Sequence, residues 1–192
     1  MPRDEAGIVR PSGVVRIATA TCSIAGKSSA HRVGVRCSAK FADKEISMLP
    51  NKACAVVLSS TPHPRILLFR HPLAGVQLVK GSIEKGETAG QAALRELAEE
   101  SGINTATIMD DLGCWEAGHL GQVWSFHLCR VSEPLPEQWS HRTLDDHGHT
   151  FEFFWAALEH LPFADCHPVF QRALRFLSAA LGARGHWAGK QR

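Results

Sequence analysis

The sequence predicts an α/β fold in which a mixed β-sheet is covered by helices on both faces. Short apolar runs bounded by turn residues recur from residue 53 onward, which is typical of strands. A segment of strong helix formers interrupts these runs, and an amphipathic segment follows the last of them. Placing one helix on each face of the sheet buries all of these apolar surfaces.

Several runs have the composition of strands. The first two are separated by Thr-Pro-His-Pro, a turn signal, so we expect them to pair. In a later run, Trp124, Phe126 and Leu128 alternate with polar or small residues, which indicates a strand with two different faces. The predicted strands are residues 53–59, 65–69, 76–79, 105–117, 122–131 and 151–157.

The two predicted helices have different start signals. The first covers residues 89–101, with Thr88 as the expected N-cap and Gly102 just after its last turn. The second covers residues 168–181 and is opened by Pro168, which suits the first helical position. One face of the second helix is an apolar stripe made of Val169, Ala173, Leu177 and Leu181.

Three carboxylates occupy one face of the first helix. Glu96, Glu99 and Glu100 are spaced i, i+3 and i+4, so their side chains point the same way. Like charges at this spacing destabilise a bare helix, but a hard cation such as Mg²⁺ or Mn²⁺ binds carboxylate oxygens and reverses that effect. Arg95 lies four residues before Glu99, where it can hold that carboxylate in place. The pattern therefore favours a divalent-cation site.

The segment around this helix resembles the Nudix box, G-x5-E-x7-R-E-U-x-E-E-x-G-U with U aliphatic. From average residue usage, such a match somewhere in a chain of this length has a chance on the order of one in ten million. The resemblance covers about residues 48–182 and identifies the chain as similar to Nudix hydrolases. The fixed positions are filled by Gly81, Glu87, Arg95, Glu96, Leu97, Glu99, Glu100, Gly102 and Ile103.

The resemblance implies an α/β/α sandwich and a hydrolase that cleaves a phosphoanhydride bond with a divalent metal and an activated water. The expected substrate is a nucleoside diphosphate linked to another group, and the expected ion is Mg²⁺, with Mn²⁺ as an alternative. A nucleotide-sensing or partner-binding module with little activity is the competing interpretation. The substrate is not fixed, since the chain has no tyrosine and lacks the subfamily signatures that follow the box.

The resemblance also implies roles for the residues of the box. Glu96, Glu99 and Glu100 would hold the metal together with the backbone carbonyl of Lys80. Either Glu96 or Glu99 would serve as the base. Glu87 and Arg95, the other two charged residues at fixed positions of the motif, would support the helix carboxylates.

An acid outside the box is expected as well, and three residues are candidates. Asp145 and Asp146 lie in Leu-Asp-Asp-His-Gly-His, which is equally a polar turn. Glu152 has the alternative of being the outward residue of its strand. Substrate contacts are expected at Gly81, through its exposed backbone, and at Arg70, where a solvated strand end is the alternative.

Other aromatic and imidazole side chains allow a functional and a structural interpretation. Three histidines near the acidic turn offer ligands for a second metal or a phosphate, although their spacing fits no standard zinc pattern. Four tryptophans are candidates for stacking on a base, and core packing is the alternative for each. These residues are His141, His147 and His149, and Trp115, Trp124, Trp139 and Trp155.

The N-terminal segment differs in charge from the rest of the chain. Residues 1–47 carry eight Lys/Arg and four Asp/Glu, so the net charge of +2 combines +4 there with −2 in the remainder. A nucleic-acid-binding face is therefore not expected on the domain. Three interpretations of residues 1–47 remain open: a disordered tail, an organellar transit peptide, or a start assigned too early with Met48 as the true one.

The composition fits one globular enzyme domain over residues 48–182, followed by a tail at 183–192. Hydrophobic residues make up 44% and charged residues 21% of the 192, and no apolar run approaches the length of a membrane span. The cysteines form no C-x-x-C pair and lie mostly in apolar runs, which favours core packing in a reducing compartment. We therefore expect a cytoplasmic enzyme that acts on small molecules and does not bind a membrane.

Overall fold

The computed structural model describes residues 49–143 and 148–187. They fall within the compact unit Ser47–Arg192. Predictions for residues 1–47, for Met48 as a start, for Asp145, Asp146 and His147, and for the tail beyond residue 187 lie outside the described residues.

The described part of the chain contains eight strands, two α-helices and one short 3-10 helix (Phe163–Asp165), which confirms the α/β class. In chain order the strands and α-helices are β1 (Lys52–Val57), β2 (Arg65–His71), β3 (Gly75–Gln77), β4 (Lys80–Ser82), α1 (Ala89–Ser101), β5 (Ala106–Glu116), β6 (Val123–Val131), β7 (Gln138–Arg142), β8 (Thr150–Ala157) and α2 (Pro168–Ala183).

The strands form two four-stranded sheets. The first has the order β4-β1-β6-β5 and is mixed, because β1 and β6 run parallel while the other pairs are antiparallel. The second has the order β3-β2-β8-β7 and is antiparallel throughout. Strand β4 lies at an edge of the first sheet, where β1 is its only partner among the described strands.

Each helix covers its own core, and successive residues of the strands alternate between the two. In β1, Ala53 and Ala55 join the cluster that contains Ala92, Ala93 and Leu97 of α1. Cys54 and Val56 join the cluster that contains the apolar stripe of α2. This alternation follows from the two-residue period of a strand. Each sheet therefore has one face toward the cluster that contains α1, called the α1 face, and one toward the cluster that contains α2, called the α2 face.

Helix α1 begins and ends where the sequence predicts. The Thr88 hydroxyl accepts a hydrogen bond from the Gln91 amide, and the Gln91 side chain accepts one from the Thr88 amide, which is a capping box. Gly102 ends the helix at φ 79°, a left-handed conformation that favours glycine. Strand β7 also satisfies the end of the helix, because the Trp139 indole N–H donates to the Ser101 carbonyl at 3.0 Å.

Residues that follow α2 form ion pairs with β5. The Asp110 carboxylate contacts His186 at 2.9 Å and Arg184 at 3.2 Å. The hydrogen bond from His186 and the charge of Arg184 lower the pKa of Asp110.

The four described cysteines are free thiols, and three of them are buried. No helix of residues 49–143 and 148–187 is long and apolar enough to cross a membrane.

Candidate active site

The loop between β4 and α1 is held by a carboxylate and a guanidinium. One oxygen of Glu87 accepts a hydrogen bond from the Glu84 amide at 3.0 Å, which closes the turn around Gly86. The other oxygen lies 2.7 Å from Nε of Arg95 on the helix. This bond to Arg95 is the main reason that the pKa of Glu87 is lowered. The loop is therefore fixed to α1 by a charge-assisted contact.

Arg95 joins the loop, the strand and the helix carboxylates. Its Nη1 lies 2.9 Å from Glu96 and 2.8 Å from Glu99, and its Nη2 donates to the Ser82 carbonyl at 2.8 Å. The two glutamate oxygens that meet at one nitrogen are close neighbours. The hydrogen bond to Glu87, followed by those to Glu96 and Glu99, raises the pKa of Arg95. The guanidinium fork thus fixes both carboxylates at once.

Glu96 lies directly over the backbone of β4. Its side chain is buried, and a Cβ atom added to Gly81 would overlap the Glu96 carboxylate. Glycine is therefore required at position 81 to leave room for this carboxylate. The sequence predicts that Gly81 offers its backbone to substrate. The structure supplies a further reason for the glycine, one that pattern alone does not reveal.

The third carboxylate approaches the same strand one residue earlier. Glu100 Oε2 accepts a hydrogen bond from the Lys80 amide at 3.3 Å. Glu96 and Glu100 therefore meet two consecutive residues of β4, while Glu99 is the most exposed of the three acids. The predicted ligand set, three carboxylates and the Lys80 backbone, is drawn from one helix face and the strand that it faces.

This donor set fits a hard divalent cation. Carboxylate and carbonyl oxygens are the ligands that Mg²⁺ and Mn²⁺ prefer. The gap that Gly81 leaves for Glu96 is a space that any other residue would fill. One guanidinium, that of Arg95, contacts three carboxylates, those of Glu87, Glu96 and Glu99, so the cluster keeps a net negative charge that suits a cation. Glu96, Glu99, Glu100 and the Lys80 backbone are the groups that would hold it.

The other candidate substrate residue and acid lie on the second sheet, facing away from α1. Arg70 is opposite Glu152 in the β2–β8 pair, and both line a cavity of about 420 Å³. Their neighbours Phe69 and Phe153 pack in the α1 core, so alternation places Arg70 and Glu152 on the α2 face. Arg70 contacts Asp165 at 3.5 Å and stands over the Phe154 ring at 5.0 Å. Glu152 is thus an exposed strand residue with no contact to the α1 carboxylates among those described.

The tryptophans all have structural contacts. Trp124 is buried in the α2 core, and Trp115 packs against it edge to face at 5.5 Å. Trp139 stacks on Phe153, and the Trp155 indole N–H donates to the Pro136 carbonyl. Trp124 therefore fits the core interpretation, whereas Trp139 and Trp155 are only partly buried and also line cavities of about 420 Å³ and 640 Å³, respectively.

The described histidines likewise contact protein groups. A ring nitrogen of His141 lies 3.2 Å from the Glu99 carbonyl, at the C-terminal end of α1. The His149 ring lies 5.0 Å from that of His71, edge to face. Within residues 49–143 and 148–187, no three His, Cys, Asp or Glu side chains are grouped closely enough for a ready-made metal site. This applies to Glu96, Glu99 and Glu100 as well as to the histidines, so the three glutamates would have to close around an ion. A second metal at these histidines therefore has no support from the described geometry.

Sequence reasoning missed Lys52 and the side chain of Lys80, since it assigned a role only to the backbone carbonyl of Lys80. Alternation along β4 turns Gly81 toward Glu96 and turns Lys80 and Ser82 toward the α2 face. There Lys52 Nζ donates to Ser82 Oγ at 2.7 Å, and Lys80 Nζ lies 5.1 Å from the centre of the Trp124 ring. The pairing of β4 with β1 brings these residues together, and no spacing in the sequence indicates that pairing.

Comparison with known proteins gives one family. The sequence model of the NUDIX domain matches residues 48–177, which is more than half of the chain. No curated protein matches the chain.

Solved structures share the fold at low sequence identity. A NUDIX hydrolase from Nitrosomonas europaea has a TM-score of 0.51 and 20% identity, covering 72% of this chain and 74% of its own. An ADP-ribose pyrophosphatase from Streptococcus suis 89-1591 has a TM-score of 0.53 and 15% identity, covering 74% and 96%. An Ap4A hydrolase from C. elegans has a TM-score of 0.50 and 23% identity, covering 70% and 99%. These similarities establish the fold.

Proposed function

The chain belongs to the Nudix family and is a hydrolase of phosphoanhydride bonds, and we propose that its substrate is a nucleoside diphosphate linked to a further group. The observation that supports a metal-dependent reaction at this site is that Glu96 and Glu99 both contact one nitrogen of Arg95, while the Glu96 carboxylate lies against Gly81. Solved structures with the same fold include an ADP-ribose pyrophosphatase, a UDP-X diphosphatase and an Ap4A hydrolase. The fold alone therefore does not identify the substrate.

Hydrolysis of a phosphoanhydride is slow because its own negative charge repels an incoming nucleophile. A bound divalent ion, for which we propose Mg²⁺ with Mn²⁺ as an alternative, supplies charge neutralisation and lowers the pKa of water. The task of the protein is then to place its oxygens and to accept a proton. Glu96, Glu99 and Glu100 would hold the ion, and Arg95 fixes the first two in position.

The surroundings of the carboxylates support different roles for them. Glu96 is buried and confined by Gly81 and Arg95, which suits a fixed ligand. The Glu99 side chain is 40% exposed, so water can reach it, which suits a group that accepts a proton. Among the described residues, Glu87 forms hydrogen bonds with the loop and with Arg95, which suits a positioning residue. We therefore propose Glu99 as the base and Glu96 as a ligand.

The test is phosphate release from a panel of substrates. Nucleoside triphosphates, nucleoside diphosphate sugars and dinucleoside polyphosphates are incubated with the protein and Mg²⁺ or Mn²⁺. We expect metal-dependent turnover of at least one class, and a loss of roughly a hundredfold or more in Glu99→Gln. Absence of turnover on every substrate, with Glu99→Gln indistinguishable from wild type, would instead support a nucleotide-sensing module.

A further inference from the structure

The last turn of α1 carries two of the three predicted metal ligands. The helix ends at Ser101, so Glu99 and Glu100 lie in its final turn, whereas Glu96 lies about one turn earlier. The last carbonyl groups of a helix have no amide partner within it, and terminal turns open more readily than the middle. A binding site, in contrast, requires its groups to be held within about 0.5 Å. The last turn of α1 therefore needs partners outside the helix.

Strand β7 supplies these partners. Its residues alternate between exposed and half-buried, and the two half-buried ones, Trp139 and His141, face α1. The indole N–H of Trp139 donates to the Ser101 carbonyl at 3.0 Å. Nε2 of His141 lies 3.2 Å from the Glu99 carbonyl, and because a carbonyl oxygen can only accept, this nitrogen carries the proton. The strand thus donates two hydrogen bonds to terminal carbonyls of the helix.

The ring of His141 also packs against the residue that ends the helix. A Cβ atom added to Gly102 would lie 3.0 Å from Nδ1 of His141 and 3.1 Å from its Cε1, closer than most Cβ contacts in proteins. The ring therefore lies against the bare backbone of Gly102 while Nε2 reaches Glu99. These two contacts set the orientation of the imidazole relative to the last turn of α1.

The strand that carries His141 is itself anchored in the second sheet. All five residues of β7 pair with β8, which places His141 opposite Phe151 and Trp139 opposite Phe153. Both phenylalanines are buried, and Trp139 stacks on Phe153 with 4.9 Å between ring centres. A side chain on β7 is therefore a fixed point against which the end of α1 can be held.

We propose that His141 is a positioning residue for the metal ligands of α1. Its Nε2–H holds the backbone of Glu99, and with it the points from which the Glu99 and Glu100 side chains extend toward the ion. The glutamates have to close around an ion, and a fixed backbone leaves that movement to their side chains. His141 acts through the helix and is assigned no contact with the ion. This inference rests on the proposed function, since it takes these carboxylates as ligands of a divalent cation.

Three substitutions separate the N–H group of His141 from its ring. His141→Phe keeps a ring against Gly102 but removes the donor, and His141→Asn places its amide near the position of Nδ1, out of reach of Glu99. Both variants should bind Mn²⁺ roughly 3- to 10-fold more weakly than wild type, as measured by the electron paramagnetic resonance signal of free Mn²⁺. At saturating metal, kcat should fall by a similar factor with little change in KM, because Glu99 is the proposed base. His141→Gln, whose amide N–H lies near the position of Nε2, should restore most of both quantities.

The matched control is His160→Phe. It makes the same change at an exposed histidine that follows β8, and it should alter neither Mn²⁺ affinity nor kcat.

Hydrogen exchange gives a measurement that needs neither metal nor substrate. In the metal-free protein, amides in the last turn of α1 should exchange roughly 3- to 10-fold faster in His141→Phe and His141→Asn than in wild type, whereas the first turn should be unchanged. Equal Mn²⁺ affinity in the folded variants overturns the positioning role, even if wild type is active. Faster exchange throughout the protein assigns His141 a general structural role and also overturns it. Faster exchange confined to the last turn and weaker Mn²⁺ binding, without turnover of any substrate by wild type, support the inference and overturn the proposed function.

Discussion

Replacing Gly81 by alanine should abolish activity without unfolding the protein. The added Cβ would overlap the Glu96 carboxylate, which must retreat by about 2 Å to reach an ordinary carbon–carbon separation. Metal–oxygen bonds in a hard-cation site tolerate only about 0.2 Å of displacement. The substitution therefore removes Glu96 from the ligand set as effectively as a change of Glu96 itself.

The expected magnitudes differ between activity and stability. A metal-site contact contributes several kcal/mol to the transition state, so kcat/KM should fall roughly 100- to 1000-fold. The clash falls on the end of a flexible side chain rather than on backbone, so the free energy of unfolding should change by no more than about 1 kcal/mol. Urea denaturation and metal-dependent phosphate release measure the two quantities on the same sample.

Gly90→Ala is the matched control for this substitution. Gly90 lies in α1, and a Cβ added there would meet Ile108 and His127 only at ordinary van der Waals distances of 3.6 to 3.9 Å. Alanine is a better helix former, so this variant should gain up to about 1 kcal/mol of stability and keep its activity. The pair therefore separates a general effect of alanine from displacement of the carboxylate.

The double variant Gly81→Ala with Glu96→Gln decides how Gly81 acts. If the glycine serves only to make room for Glu96, the double variant should be no less active than Glu96→Gln alone. If the two losses multiply, Gly81 acts independently, as its predicted backbone contact with substrate would require. Wild-type activity in Gly81→Ala would refute the displacement argument altogether.

Three further predictions concern the same helix and its supports. Arg95→Lys retains one charge but loses the fork that contacts Glu87, Glu96 and Glu99, so apparent metal affinity should fall about 10- to 100-fold in a metal titration of activity. Glu100→Gln retains an oxygen that can accept a hydrogen bond from the Lys80 amide, so this variant should fold normally. Its metal-dependent turnover should fall about a hundredfold or more, and full turnover would contradict the assignment of Glu100 as a metal ligand. Burial lowers the pKa of His127 below its ordinary 6.5, so the unfolded chain binds that proton more readily than the folded protein does. The free energy of unfolding should therefore fall as pH falls from about 7.5 to about 5.5. Urea denaturation of His127→Gln should show a weaker dependence of stability on pH.

The helix and its ends are predictable because their causes are local. Thr88, Gln91 and Gly102 act within one turn of the helix terminus, and the structure contains the caps that their identities predict. The spacing of the three glutamates likewise fixes their common face before any tertiary contact is known. The α/β class follows in the same way from alternating and helical apolar patterns, and it is confirmed.

The strands are less predictable, because short strands depend on partners distant in the sequence. The predicted third strand, residues 76–79, overlaps β3 only at residues 76 and 77, and β4, which belongs to the other sheet, was not predicted. Strand β7 was not predicted, since Gln138–Arg142 is mostly polar and is stabilised by pairing with β8 and by the contact of Trp139 with α1. The predicted single sheet is accordingly two sheets, and alternation alone could not show which strands pair.

The same dependence on pairing explains why half of the candidate site was visible in the sequence. The carboxylates are local to one helix, but Lys52 and Lys80 become neighbours only because β1 pairs with β4. The three residues of β4 then divide by alternation: the central glycine faces an acid on α1, and its two neighbours face cationic and aromatic groups on the other side. The two faces of this short strand thus meet different groups, and only the face toward α1 carries the predicted metal ligands. A change at Gly81 should therefore alter the reaction with every substrate, because it displaces one of those ligands.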